Sequence, residues 1–141
     1  MSYATLQDMI DQFDEREVIA LADRDGDGVP DAPVVAKALL RASNDIDSYI
    51  AARFSLPLSV VPDKLTDLCC DIARYKLCGS GVTETEEVRN RYKDALKALE
   101  LIRDGKLDIG LTVAGAAPAA RSSVQVSASS RVLDSAALSG Y

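Results

Sequence analysis

Apolar residues recur at helical spacing along the first hundred positions, and then the rhythm changes. Leu6, Met9, Ile10 and Phe13 mark a short first helix, opened by Thr5 with an acid, Asp8, in its first turn. Asp14 with Glu17 repeats that signature, and Val18, Leu21 and Ala22 carry a second short stripe as far as the run Asp23-Arg24-Asp25-Gly26-Asp27-Gly28. A third helix opens with Asp31 as cap and Pro33 in its first turn. Its stripe of Val35, Ala38, Leu39, Ala42, Ile46, Tyr49 and Ile50 is long enough for about five turns. Lys37, Arg41 and Asp45 fall off that stripe at i, i+4 and i+8 and read as a solvated face.

The stretch Phe54-Ser55-Leu56-Pro57-Leu58-Ser59-Val60-Val61-Pro62 breaks the helical pattern, because each proline disfavours helix at the residue before it. It is an unusually apolar connector that has to pack against the chain's own core or another subunit. Pro62 then stands at a helix start. Leu65, Leu68, Cys69, Ile72, Ala73 and Leu77 form the fourth stripe, ended by Gly79-Ser80-Gly81. Thr83 with Glu86 makes a further capping box, and Val88, Tyr92, Ala95, Leu96 and Leu99 carry the last helix to Gly105. The pattern predicts an all-α fold, a small bundle of five helices over residues 1–106.

From Leu107 onward the chain turns to Ala, Ser and Gly, a composition that cannot bury a core of its own. Short patches still alternate as a strand does: Leu107, Ile109, Leu111 and Val113, then Val124 and Val126. Residues 107–141 are therefore expected to be an extended arm that orders against a neighbour, in the manner of a strand added to its sheet. The same stretch taken as a disordered low-complexity tail is the plainer alternative.

Composition narrows the chemistry. The 141 residues hold no His and no Trp, which removes the commonest general base and a common zinc and iron ligand. Three cysteines, Cys69, Cys70 and Cys78, make neither a disulfide framework nor a metal-binding pair and suit a reducing compartment as small core residues, with one of the adjacent pair buried. No segment resembles a signal peptide or reaches bilayer-spanning length. The net charge of −6 is unevenly placed: residues 1–31 carry nine acids against two bases, −7, so the remainder sums to +1. That distribution, without a Lys/Arg run, argues against tight phosphate-backbone binding.

Among candidate sites the sharpest is the loop Asp23, Asp25, Asp27 and Asp31. Hard cations such as calcium take six to eight oxygens, and this spacing offers carboxylates at loop positions 1, 3, 5 and 9 with Gly28 at position 6 and the Val29 carbonyl at 7. The position-12 acid is replaced by Val34. The loop resembles one copy of the aspartate repeats of thrombospondin-type calcium modules, without their cysteines. The plainer reading is a turn between two helices, with Asp31 capping the second. Asp45 with Asp47, or Asp67 with Asp71, are carboxylate pairs that could be cast for acid–base work, and the latter, beside Lys64 and Arg74, looks like a solvated face. No catalytic residue is assigned.

Ile46-Asp47-Ser48-Tyr49-Ile50-Ala51-Ala52-Arg53-Phe54-Ser55-Leu56-Pro57-Leu58, then Val61-Pro62 and Asp71-Ile72-Ala73-Arg74-Tyr75, together with Tyr3 to Phe13, resemble the Mu-like phage family of head-tail adaptor proteins. The likeness runs from Tyr3 to about Leu101, and Arg131-Val132-Leu133 with Gly140-Tyr141 is similar to that family's tail end. It implies a structural virion protein at the neck, assembled in the host cytoplasm. Such a protein forms a ring of about twelve copies of itself beneath the portal protein. On its other side it meets a tail completion or tail terminator protein, with DNA only in transit and no membrane or cofactor. Contacts between subunits or partners are then expected at Tyr49, Arg53, Phe54, Leu56, Leu58, Arg74 and Tyr75, and from the arm at Val124, Val126, Leu138 and Tyr141. On this view the acidic residues 1–31 line a channel that repels DNA. The alternative, a monomeric calcium-dependent helical binding module, rests on the Asp-rich loop.

Overall fold

A computed structural model describes residues 1–79 and 84–111. Five helices follow in order: α1 (Leu6–Phe13), α2 (Glu15–Ala22), α3 (Ala32–Ile50), α4 (Asp63–Leu77) and α5 (Glu86–Arg103). The described residues contain no strand, so the fold is the all-α bundle that the apolar spacing predicts.

α4 is the hub. Its most extensive partner is α3, followed by α5, and α1 and α2 also lean on it. Being covered from several sides, α4 buries more than one stripe. Leu65, Leu68, Ile72, Ala73 and Leu77 are buried as expected, but Cys69 and Cys70 are both fully enclosed, correcting the expectation that only one of them would be. Adjacent residues on a helix point about 100° apart, so both can be buried only where neighbours pack on two faces. The residues ahead of α1 join the core as well: Tyr3 and Ala4 are buried. The Tyr3 amide donates to Ser43 Oγ on α3 (2.9 Å), and Thr66 Oγ1 on α4 donates to the Tyr3 carbonyl (2.9 Å). This start of the chain is thus tied down across two helices.

Helix boundaries show which local signals win. Thr5 and Asp8 form the full reciprocal capping box at α1. Asp14 links α1 directly to α2 at φ +85 and ψ 144, a backbone conformation that side chains rarely adopt, while its carboxylate accepts from the Glu15 amide at 2.8 Å. Asp31 stands at the N-cap of α3, yet its side chain does not cap that helix; it accepts from the Arg24 amide (2.9 Å) within the preceding loop. The cap of α5 is Thr85, whose hydroxyl accepts from the Val88 amide, not Thr83, which lies outside the described residues.

The apolar connector packs partly inward. Phe54 and Leu58 enter the core, while Leu56 and Val60 remain exposed and the Leu56–Pro57 peptide is cis. After α5, residues 107–111 come back over this connector: Leu107, Ile109 and Leu111 are half-buried against the core, and Asp108 and Gly110 face out. The two-residue alternation is therefore realised, but against the chain's own bundle and with no sheet among the described residues. The arm expected from residue 107 has its first five residues seated on the helical domain, and residues 112–141, with Val124, Val126, Leu138 and Tyr141, lie outside the described residues.

Candidate functional site

Three places hold the residues singled out by sequence. The first is the loop between α2 and α3. Its four carboxylates, Asp23, Asp25, Asp27 and Asp31, bring one oxygen each within 4.8 Å of one another. They are held there by the loop's own amides. Asp23 accepts from Gly26 (2.8 Å), Asp27 (3.2 Å) and Gly28 (2.9 Å); Asp27 accepts from Val29 (2.9 Å). Gly26 and Gly28 sit at φ +77 and +80, where a side chain would strain the turn. The Gly28 amide, with further help from Gly26, Asp25 and Asp27, holds the Asp23 carboxyl below its ordinary value. Asp25 moves the other way. The Asp27 amide pulls it down, but its hydrogen bond with Asp23 and the crowding of the Asp27 carboxylate carry it above. The hard oxygen donors suit a cation such as calcium, in a shell that lacks the bidentate acid, since Val34 occupies that position on α3.

The second place is the Asp71-Ile72-Ala73-Arg74-Tyr75 run, and its polar members turn inward. Arg74 is only 6% exposed. Its guanidinium donates to Glu17 of α2, lies 3.6 Å from Glu87 of α5 and covers the Phe13 ring at 4.6 Å. Tyr75 stacks on Tyr92 of α5, centroids 3.9 Å apart and nearly parallel. Asp71 accepts from Gln12 of α1 (3.1 Å) and stands 3.5 Å from Arg91 of α5. Burial raises the Asp71 carboxyl, with Arg91 and Arg74 opposing. One helical turn thus ties α1, α2 and α5 to α4. Of the two residues expected at subunit contacts, Arg74 is buried inside the bundle and Tyr75 is half-buried against Tyr92, because α5 covers the face of α4 that carries them. Periodicity alone could not reveal this; the polar residues beside the stripe carry no sign of which helix will cover them.

The carboxylate pairs separate in the same way. Asp45 pairs with Lys76 at 2.7 Å, Asp47 accepts from the Tyr3 hydroxyl, Asp71 joins the node just described, and Asp67 is exposed. Burial keeps the thiols of Cys69, Cys70 and Cys78 above their ordinary values, so they are held as thiols at neutral pH.

The third place is the connector. With residues 109–111 it walls an open, largely apolar groove of about 490 Å³, lined by Phe54, Pro57, Leu58, Val60, Ile109 and Leu111. Phe54 and Leu58 form its floor from the core side. Leu56 and Val60, at 36% and 65% exposure, are the apolar residues of the connector left facing out. Tyr49 is half-buried beneath the Arg103 guanidinium (5.9 Å). Arg53 folds onto the end of α5: its Nη1 donates to the Ile102 carbonyl at 2.6 Å, and a Cβ on Gly105 (φ +78) would meet the guanidinium at 3.4 Å. Sequence reasoning placed Arg53 at a subunit contact; here it caps a helix of its own chain.

Comparison with known proteins adds the following. Residues 3–128 match the family described as Bacteriophage Mu, Gp36. The chain is 40% identical over 128 residues to Gene product J of Escherichia phage Mu, a match covering 89% of each protein. It is also 40% identical over 82 residues to Mu-like prophage FluMu protein gp36 of Haemophilus influenzae, spanning 58% of this chain and 57% of that one.

Proposed function

The chain belongs to the bacteriophage Mu Gp36 family, and from that premise we propose that it is a structural protein of the virion neck, a head-tail adaptor. In this role copies of the helical domain form a ring beneath the portal, complete the head and present a surface to a tail completion or terminator protein. The observation that carries the reading is the connector. Leu56 and Val60 hold apolar surface in water beside an apolar groove, on a bundle whose polar node and thiols are committed to packing. Such a ridge gains when a neighbouring surface covers it. The chain leaves the described residues at Leu111, on the wall of that groove, so residues 112–141 start from a position suited to reaching an adjacent subunit or partner. The exposed Asp-rich loop presents to DNA in transit a charge of the same sign as phosphate. Among the described residues no helix is long and apolar enough to cross a membrane.

A cryo-electron microscopy map of the neck in purified virions tests the reading. Density for a ring of this bundle between portal and tail is expected; absence of the chain from purified particles overturns it. A second reading is favoured by the gathering of four carboxylates within 4.8 Å: a calcium-dependent module. It requires the melting temperature to rise at millimolar calcium, and an unchanged melting temperature overturns it.

A further inference from the structure

Two depressions of opposite charge lie toward opposite ends of α4. At its start, Asp63 and Asp67 join Asp8 and Asp11 of α1 around a hollow of about 410 Å³. None of these four acids forms an ion pair among the described residues, and Lys64 is their neighbour on α4. At its end, Lys76 joins Lys37 and Arg41 of α3 and Arg24 of the Asp-rich loop around a hollow of about 310 Å³. Lys76 is paired with Asp45, but Lys37 and Arg41 are exposed and form no ion pair among the described residues. From Asp63 to Lys76 the helix rises roughly 20 Å, and from Asp67 to Lys76 it turns by about 900°, which leaves them on opposite sides.

Helix dipoles explain only part of this sorting. They favour acids at the start of α4 and a base at its end. They do not favour Asp11, in the last turn of α1, or Lys37 and Arg41, away from the ends of α3. Like charges gathered side by side repel one another in the isolated chain. Bringing the opposite charge to each hollow relieves that repulsion and sets which surfaces meet.

We propose that the two hollows are the halves of one contact between copies of this chain: the basic hollow of one copy receives the acidic hollow of the next. Because the halves lie on opposite sides of α4, the contact is head-to-tail and repeats, giving a closed ring when the rotation per step divides the circle. Its place in a neck ring rests on the adaptor reading above; the contact itself does not.

Charge reversal on the full chain tests it. D11K/D67K sets two lysines against Asp8 and Asp63 and leaves the acidic hollow without net charge, and K37E/R41E sets two glutamates against Arg24 and Lys76 and leaves the basic hollow without net charge; all four substituted positions are exposed. In sedimentation velocity at low ionic strength, each double variant alone should stay monomeric. An equimolar mixture should associate, and 0.5 M salt, where screening shortens to about 4 Å, should reverse it. The quadruple variant, with neither hollow carrying net charge, should stay monomeric as well. Circular dichroism checks that each variant retains its helices. A mixture that stays monomeric, or double variants that associate as the wild type does, overturns the contact. If both variants enter virions as well as the wild type, the contact fails and the adaptor reading stands. If the wild type is absent from virions, the adaptor reading fails while the sedimentation result still decides the contact.

Discussion

Arg74 illustrates how much of this fold rests on single polar residues. A guanidinium 6% exposed must be compensated, and Glu17, Glu87 and the Phe13 ring do so from three different helices. Removing Glu17 leaves that charge enclosed with one distant carboxylate. Glu17→Ala should therefore cost about 2–3 kcal/mol in urea denaturation, whereas Glu87→Ala, at a site 69% exposed, should cost less than about 1 kcal/mol. Asp71 gives a pH test. Its carboxyl is raised in the folded chain, first by burial, so the native state holds the proton more tightly than the unfolded state does. Stability from this group is thus present below the unfolded value of 3.8 and is lost as pH rises through the folded one. Asp71→Asn should accordingly compare more favourably with the wild type at pH 7 than at pH 3, and urea midpoints at the two pH values measure that difference. A larger advantage at pH 3 would contradict the sign.

At the scale of elements, the connection between α3 and α4 is fastened to the end of α5. Arg53, just beyond α3, gives the Ile102 carbonyl in the last turn of α5 a second donor beside the Gly105 amide. Arg53→Ala should lower stability by about 1.5 kcal/mol and speed amide exchange in residues 104–107, whose amides donate to the last turn of α5. Capping was legible at the start of α1, where Thr5 and Asp8 form the expected box. It was not legible at Asp31, because the loop amide of Arg24 competes for the same carboxylate and wins.

For the whole molecule, the expectation concerns surface that folding leaves uncovered. Val60 is 65% exposed, so Val60→Asp should change folding stability by no more than about 0.5 kcal/mol. On the adaptor reading it should nevertheless strongly reduce incorporation into particles, read by immunoblot of purified virions. A truncation should be cut after Leu111, because Leu107, Ile109 and Leu111 pack on the bundle. Removal of residues 112–141 should keep the helical circular dichroism and the melting temperature while abolishing head-to-tail joining. Normal yields of infectious particles from the truncated chain would remove the arm from the proposal.

Apolar spacing by itself determined the five helices of the described residues, roughly where each begins and ends, and that the proline-rich stretch between the third and fourth is not helix. Those features follow from local backbone sterics and from a period of 3.6 residues, which every short window of sequence carries. The spacing of Asp23, Asp25, Asp27 and Asp31 likewise announced a carboxylate cluster, and the loop gathers it. Only the tertiary structure decided that Arg53, Arg74 and Tyr75 serve their own chain, that both adjacent cysteines are enclosed, and that acids of α1 meet acids of α4. Each of these depends on which face of one helix another covers, and residues on different helices leave no mark of that on one another's local sequence.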